Sequence, residues 1–253
     1  VHVDGSVDPI RDIETINLEL IFADMETVDK RLDKAKKMLK ADKKYQIEID
    51  LLEKIKENLE KGISARSIDY SEEEKEIVKD LWLLTSKPII YVANVSEEQI
   101  GNEEDNEYVK KVREYAQKEK SEVITLSVKV EEELSTLDDE DKKEMLEALG
   151  IEESGLDKLI KKSYDLLGLM SFLTAGEPEV RAWTIKKGTK APQAAGKIHS
   201  DIERGFIKAE VVSFEDLVRE GSMLQAKEKG LVRMEGKDYI MQDGDIVLFK
   251  FNV

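Results

Sequence analysis

The sequence predicts an α/β domain with a helical insertion, followed by a small α+β domain, and three observations support this fold class. Apolar residues recur at intervals of three and four across two polar segments before residue 60, which is typical of paired amphipathic helices. Two apolar runs flank a helical segment between residues 88 and 126, which indicates a β-α-β unit. After residue 171, several β-type runs surround one short helix, which favours an α+β arrangement.

The helical insertion is predicted over residues 24–70 as an antiparallel pair of helices, with apolar positions at helical spacing on both sides of a polar break near residue 41. These positions are Ile13, Ile16, Leu20, Val28, Leu32, Ala35 and Leu39 before the break and Tyr45, Ile49, Leu52, Ile55 and Leu59 after it. Because the connection is short, the two helices should pack in opposite directions. Gly62 is expected to end this arm, and Ser71 with Glu74 forms a capping-box pattern that opens the next helix.

The α/β domain is predicted over residues 1–23 and 71–170. Its two strands are the runs at 88–93 and 123–126, with a helix at 107–118 between them. A right-handed crossover makes these strands parallel, so their carboxyl ends meet at one rim of the sheet, where open parallel sheets bind ligands. The candidate binding residues at this rim are Asn94, Val95 and Glu97 after the first strand and Ser127, Val128 and Lys129 after the second.

The C-terminal domain is predicted over residues 171–253. A β run at 180–185 leads to a turn at Gly188, and a helix at 191–199 follows, with Thr189 as its expected cap. Further β runs are expected at residues 206–212, 232–234, 239–240 and 246–251. Strands that fold around one helix in so short a segment indicate a ubiquitin-like, β-grasp domain.

Residues 172–253 resemble the TGS domain that closes the YchF group of Obg-like ATPases. The resemblance includes Lys-Asp-Tyr at 237–239, Gln-Asp-Gly-Asp at 242–245 and the ending Phe-Lys-Phe-Asn-Val at 249–253. It implies that the preceding residues form part of a P-loop NTPase sheet with a coiled-coil arm inserted. It also implies a cytoplasmic protein that hydrolyses ATP in its intact form and associates with the ribosome or ribosomal RNA.

The two strand ends of the α/β domain resemble the base-recognition loops of P-loop GTPases, which read Asn-Lys-x-Asp and Ser-Ala-Lys. This chain has Asn-Val-Ser-Glu at 94–97 and Ser-Val-Lys at 127–129. Glu97 is one methylene longer than the guanine-reading Asp, and Val95 replaces the Lys, so we expect relaxed or adenine-favouring specificity. The resemblance implies that ATP is preferred, that GTP binds more weakly and that the intact protein uses Mg²⁺. Asn94 is predicted to hydrogen-bond the purine edge, Val95 to pack on the base or offer its backbone, and the 127–129 loop to close over it.

The phosphate-binding elements of this class do not occur in the sequence. Between Val1 and Val253 there is no Gly-x-x-x-x-Gly-Lys-Ser/Thr loop, and the one Asp-x-x-Gly tetrad, at 165–168, follows both base-recognition loops, whereas the element near the γ-phosphate is expected before them. We therefore assign no catalytic residue and no metal site, and we expect a C-terminal fragment that is inactive alone and holds no cofactor. His2 lies after the family's catalytic histidine by motif order, and His199 is expected to be a partly buried structural residue. The alternative function is a non-enzymatic protein- or RNA-binding module built from the arm and the TGS domain.

Composition limits the partners, since the chain has a net charge of −16 and contains no cysteine. It also lacks an apolar run of the about 20 residues that a membrane helix requires. The acidic excess lies in residues 1–170, whereas residues 171–253 hold 13 basic and 13 acidic side chains. Because acidic surfaces repel phosphates, we expect neither DNA nor membrane as a partner. Two interpretations remain for the lysines of the second segment, an RNA or ribosome contact and a solvated charged surface. These lysines are Lys186, Lys187, Lys190, Lys197 and Lys208.

Overall fold

The computed structural model describes residues 5–102, 106–176 and 179–252, and the chain divides into two compact units, Val1–Leu159 and Ile160–Val253. Each unit has a hydrophobic core of its own. Both units combine helices with strands, so the mixed α/β class predicted from the sequence is confirmed. None of the described helices is long and apolar enough to cross a membrane.

A hairpin of two long helices begins the first unit. Helix α1 (Pro9–Leu39) is capped by Asp8 and carries proline at its first position, and α2 (Tyr45–Glu60) follows a short turn. Ion pairs that link the two helices are Arg31–Glu48, Lys36–Glu53 and Lys56–Asp29. The apolar stripes form the core of the hairpin, with Val28, Leu32, Ala35, Ile49, Leu52, Ile55 and Leu59 all buried. These contacts confirm the two predicted helices and their antiparallel packing.

The chain returns from the hairpin to the sheet through a 3-10 turn at Ala65–Ser67 and helix α3 (Glu72–Leu81). The predicted capping box opens α3. Ser71 Oγ accepts the Glu74 N–H at 3.2 Å, and the Glu74 carboxylate accepts the Ser71 N–H at 2.7 Å. Trp82 ends the helix in the left-handed region at φ 55°.

A β-α-β unit completes the first compact unit, as predicted. Strands β1 (Ile90–Asn94) and β2 (Glu122–Leu126) pair in parallel, with α4 (Glu107–Glu119) between them in the chain. Helix α4 buries Val109, Val112 and Ala116. Three further helices follow β2, namely α5 (Val128–Ser135), α6 (Asp139–Ala148) and α7 (Gly155–Leu166).

The second unit contains a mixed five-stranded sheet in the order β4-β3-β7-β5-β6. Its strands are β3 (Leu169–Ala175), β4 (Val180–Lys186), β5 (Phe206–Ser213), β6 (Arg233–Glu235) and β7 (Asp245–Phe251). Only β3 and β7 pair in parallel among the described pairs of this sheet; the others are antiparallel.

Helices cover parts of both faces of this sheet. On one face, α8 (Ala191–Ile198) buries its alanines among Phe172, Ile185 and Phe249. The short helix α9 (Ser200–Arg204) follows it. On the opposite face, α10 (Phe214–Glu220) and α11 (Met223–Glu228) pack Leu217 and Met223 near Val212 and Ile246.

Three local expectations for this unit are wrong. Thr189 does not cap α8, because its hydroxyl donates to the Lys186 carbonyl at 2.7 Å. The predicted β run at 239–240 is reduced to one bridge between Ile240 and Lys190. The apolar run at 166–170 reads most simply as the end of a helix, but α7 ends at Leu166 and strand β3 begins at Leu169, so this strand was not predicted.

Candidate functional site

The carboxyl ends of β1 and β2 lie side by side, as predicted. The register places Asn94 opposite Leu126, and the Val95 N–H extends the pairing by donating to the Leu126 carbonyl at 2.9 Å. Asn94 Oδ1 then accepts the backbone N–H of Val128 at 3.1 Å. The structure therefore brings the two predicted loops, 94–97 and 127–129, into one polar rim, which we call the strand-end rim.

An ion pair links the same two loops a second time. Lys129 Nζ lies 3.0 Å from Glu97 Oε2 and 3.8 Å from Glu133 Oε1. The hydrogen bond that Lys129 donates to the Glu97 carboxylate raises the pKa of Lys129 above its ordinary value, so this lysine is cationic at neutral pH. Because both partners are largely exposed, the pair contributes little to stability, and its effect is to hold the Glu97 carboxylate over the 127–129 loop.

The remaining rim residues differ in what they expose. Val95 and Ser127 are buried, whereas Asn94 is exposed and Val128 keeps 57% of its surface accessible. The Val95 N–H is already used by Leu126, so its carbonyl is the backbone group left for a ligand. An exposed amide beside an exposed aliphatic side chain suits a flat heterocycle, which needs edge hydrogen bonds and an apolar surface for its face.

Two residues outside the predicted site, Glu131 and Gly155, hold helix α7 against the end of β2 and so position the rim. The Glu131 carboxylate accepts the N–H groups of Gly155 at 2.7 Å and Leu156 at 3.2 Å, and so caps α7. A Cβ at Gly155 would lie 2.3 Å from the Leu126 Cβ, so α7 packs directly against the end of β2. Glu131 stands in an acidic run that is typical of a solvated helix start. Because it lies 24 positions before Gly155, no local sequence pattern reveals this contact.

A cavity of about 520 Å³ adjoins β1 on the side of α1 and α4. Asn94 and Val95 line it, whereas Ser127, Val128 and Lys129 are not among the described residues of its wall. Other amides nearby are already engaged. Gln99 Oε1 accepts the Ser96 N–H, and Asn106 Oδ1 caps α4. The two loops therefore meet at the rim and not in this cavity.

The predicted lysine group does not form one patch. Lys187 pairs with Asp165 at 2.9 Å, and Lys190 pairs with Asp238 at 2.7 Å. Lys197 lies on α8, which covers one face of the sheet. Strand alternation places Lys186 and Lys208 on the opposite face, and the structure shows no ion pair for these two in the part of the chain it describes.

The histidines take no part in this rim. His199 is exposed rather than partly buried, with 63% of its side chain accessible, and it caps α9 by accepting the Asp201 N–H on Nδ1 at 3.2 Å. His2 lies outside the described residues. Within residues 5–102, 106–176 and 179–252 there is no cluster of His, Asp and Glu that could hold a metal ion.

Comparisons with known proteins agree with this architecture. A family model called YchF-GTPase_C, described as a protein of unknown function (DUF933), matches residues 169–252. The "Ribosome-binding ATPase YchF" of Bacillus subtilis is 58% identical over 253 residues, which is 100% of this chain and 69% of the relative. The protein of the same name from Escherichia coli O157:H7 is 46% identical and is likewise covered to 69%. "Obg-like ATPase 1" of Rattus norvegicus is 44% identical over 99% of this chain and 64% of its own length.

Solved structures give the same relationship. The Schizosaccharomyces pombe YchF GTPase superimposes with a TM-score of 0.83 at 37% identity, covering 99% of this chain and 68% of that one. A GTP binding protein from Pyrococcus horikoshii shares the fold, with a TM-score of 0.59 at 20% identity over 97% of this chain and 72% of its own. Extensive identity to relatives of which it covers more than two thirds shows that this chain belongs to the YchF family of Obg-like ATPases.

Proposed function

We propose that this chain supplies the purine-binding rim and the partner-binding C-terminal domain of a ribosome-associated ATPase. Two relatives that share at least 46% of its residues carry the name ribosome-binding ATPase. The observation that carries the proposal is the hydrogen bond from the Val128 N–H to Asn94 Oδ1, which joins the two loops into one rim. Parallel sheets of this kind bind nucleotides beyond the carboxyl ends of their strands.

In this proposal β1, α4 and β2 are part of a P-loop NTPase sheet, formed by residues 1–23 and 71–170. The hairpin at 24–70 is its helical arm, and residues 171–253 are a TGS domain of the β-grasp type. The packing of α8 across a mixed five-stranded sheet supports the last assignment. The sequence contains no P-loop, so we assign phosphate binding, Mg²⁺ and hydrolysis to no residue of this chain.

The proposed rim favours adenine over guanine. A guanine-reading carboxylate accepts from the ring N–H and the exocyclic amine, whereas adenine has no ring N–H there and carries its amine where guanine has a carbonyl. Glu97 is longer than the Asp of guanine readers, and its carboxylate is held by Lys129 at 3.0 Å. The Nδ2 group of Asn94, the carbonyl of Val95 and the exposed side chain of Val128 remain to contact the base, so we propose that ATP binds more tightly than GTP.

The proposed ribosome contact lies in the second unit, and the proposed location is the cytoplasm. The acidic excess of residues 1–170 disfavours RNA phosphates, whereas the second segment is electrically balanced. Lys186 and Lys208 share one face of the sheet and have no ion-pair partner in the described ranges, so they are the cations best placed to meet RNA.

An NMR titration of the 253-residue chain with ATP and with GTP tests the purine rim. We expect shifts at the amides of residues 94–97 and 127–129, larger for ATP, and we expect Asn94→Ala to abolish them. The double exchange of Val95→Lys with Glu97→Asp should move the preference toward GTP, while Glu98→Asp, an exposed neighbour, should leave it unchanged.

Two outcomes would overturn the rim assignment. Shifts confined to other residues would place the nucleotide elsewhere, and an unchanged ATP-to-GTP ratio in the double variant would remove the specificity argument. No shift with either nucleotide at millimolar concentration would favour the alternative, a non-enzymatic module in which the arm and the C-terminal domain bind partners.

A further inference from the structure

A groove between helices α1 and α4 lies apart from the strand-end rim. It encloses a cavity of about 420 Å³. Helix α1 lines it with Glu14 and Leu18, which are one turn apart, and α4 lines it with Tyr115 and Glu119, which are also one turn apart. Ile63, from the segment after the helical hairpin, closes one side. None of these residues belongs to the proposed purine contacts.

One part of this groove is apolar and exposed. Leu18 keeps 46% of its surface accessible, and Ile63 keeps 38%. Phe22 follows Leu18 by one turn on the same side of α1 and is 63% exposed. Large apolar side chains exposed together beside a cavity mark interaction surfaces, and phenylalanine is enriched in the centres of protein interfaces.

The other part of the groove is acidic. Glu119 Oε2 accepts from the Tyr91 hydroxyl at 2.9 Å and from Arg66 Nη2 at 3.1 Å, so this carboxylate is held in place by strand β1 and by the segment after the hairpin. Both of these bonds end on the same oxygen. Burial raises the pKa of Tyr115, and the charges of Glu119 and Glu14 add to this effect, whereas the hydrogen bond from Asn17 and the charge of Arg66 act in the opposite direction.

The charge of the groove decides what it attracts. Among the described residues that line the cavity there are two carboxylates and no lysine or arginine, but Glu119 is already paired with Arg66 behind the wall at 3.1 Å, so Glu14 carries the uncompensated charge. A nucleic acid would bring its phosphates against Glu14, whereas a cationic side chain would gain from it. The apolar part requires, in addition, an apolar side chain close to that cation.

We propose that the α1–α4 groove binds a segment of a partner protein that presents a lysine or arginine next to an apolar side chain. The cation lies beside Glu14, and the apolar side chain packs on Leu18, Phe22 and Ile63. This inference does not depend on the purine rim, because the two surfaces share no residue.

The test is an NMR titration of the isotope-labelled chain with a short synthetic peptide that alternates lysine with leucine. Shifts should concentrate at residues 14–22 and 115–119. Glu14→Lys and Phe22→Ser should each weaken binding by about fivefold, the size of one exposed ion pair or one small apolar contact. Glu19→Lys is the matched control, since it makes the same charge change on the exposed side of the same helix, and it should retain the affinity of the parent chain.

Because these side chains are exposed, all three variants should keep the parent's thermal unfolding midpoint, so that a loss of binding is not a loss of folding. Three results would each overturn the inference: equal weakening by Glu14→Lys and Glu19→Lys, equal binding of a peptide that alternates glutamate with leucine, or shifts spread over the whole surface. If an RNA oligonucleotide moves the same amides, the partner class is nucleic acid and the proposal is wrong.

Discussion

Replacing Asp24 by asparagine should destabilise the first unit, because this residue joins the helical hairpin to the segment that leads into β1. Asp24 is only 2% exposed. Its carboxylate accepts the N–H groups of Leu84 and Thr85, both at 2.7 Å, and the Thr85 hydroxyl at 2.6 Å. The Thr85 hydroxyl in turn accepts the Ala65 N–H at 3.0 Å, so one carboxylate organises both ends of the connection.

The magnitude follows from these three bonds. A hydrogen bond to a charged group contributes about 1.5–3 kcal/mol, and a buried donor left unpaired costs about 1–3 kcal/mol. Asparagine keeps the shape of the side chain and one acceptor, but it directs an NH₂ group at the donors of Thr85. We therefore expect the free energy of unfolding to fall by about 3 kcal/mol. In a protein of this size that corresponds to a fall of about 6–12 °C in the unfolding midpoint. Asp29→Asn is the matched control, because Asp29 lies on the same helix in an exposed ion pair with Lys56, and it should cost less than about 1 kcal/mol.

Circular dichroism during heating at neutral pH measures both variants. In a Trp82→Phe background, which removes the tryptophan of the first unit, the fluorescence of Trp183 reports on the second unit, so its transition should stay at the parent temperature in both variants. Equal shifts for Asp24→Asn and Asp29→Asn, or a change below about 2 °C for the buried site, would refute the argument that buried charge-assisted hydrogen bonds hold the hairpin in place.

Two further predictions concern the end of β2 and the second unit. Gly155→Ala should lower stability by about 1–2 kcal/mol in urea unfolding, because its Cβ would lie 2.3 Å from a β2 side chain, whereas Gly236→Ala, with open space around it, should be neutral. The pKa of Glu210 is lowered, chiefly by its hydrogen bond from Lys227, so its contribution to stability is present above the unfolded-state pKa of about 4.3 and is lost as the pH falls through the lower folded-state pKa. Glu210→Gln should therefore flatten the decline of the unfolding midpoint below about pH 4.5, and parallel pH profiles for variant and parent would contradict this.

The elements that could be predicted from the sequence are those marked by an apolar repeat within one segment or by two apolar runs close together in the chain. The helical hairpin follows from a repeat of three and four residues, and the strand-end rim follows from two apolar runs that a crossover helix forces into parallel pairing. The residues that sequence analysis missed contact segments that lie far away along the chain. Glu131 caps a helix that begins 24 residues later, and Asp24 binds a segment 60 residues away, so neither leaves a pattern in its own neighbourhood. The exposure of His199 is likewise set by how the chain turns after α8, which its spacing does not reveal.

These long-range contacts position the rim, whose own bonds are weak. The Glu97–Lys129 pair is exposed, and the Asn94–Val128 bond is single, so neither fixes a loop without support. The rim is supported by helix α7, whose N-terminus is capped by Glu131. Gly155 of α7 lies so close to the end of β2 that a side chain at this position would not fit. If the proposed rim binds a nucleotide, loops that are already positioned by buried packing lose less entropy on binding. Gly155→Ala should then weaken the proposed nucleotide binding as well as stability, although Gly155 does not line the rim.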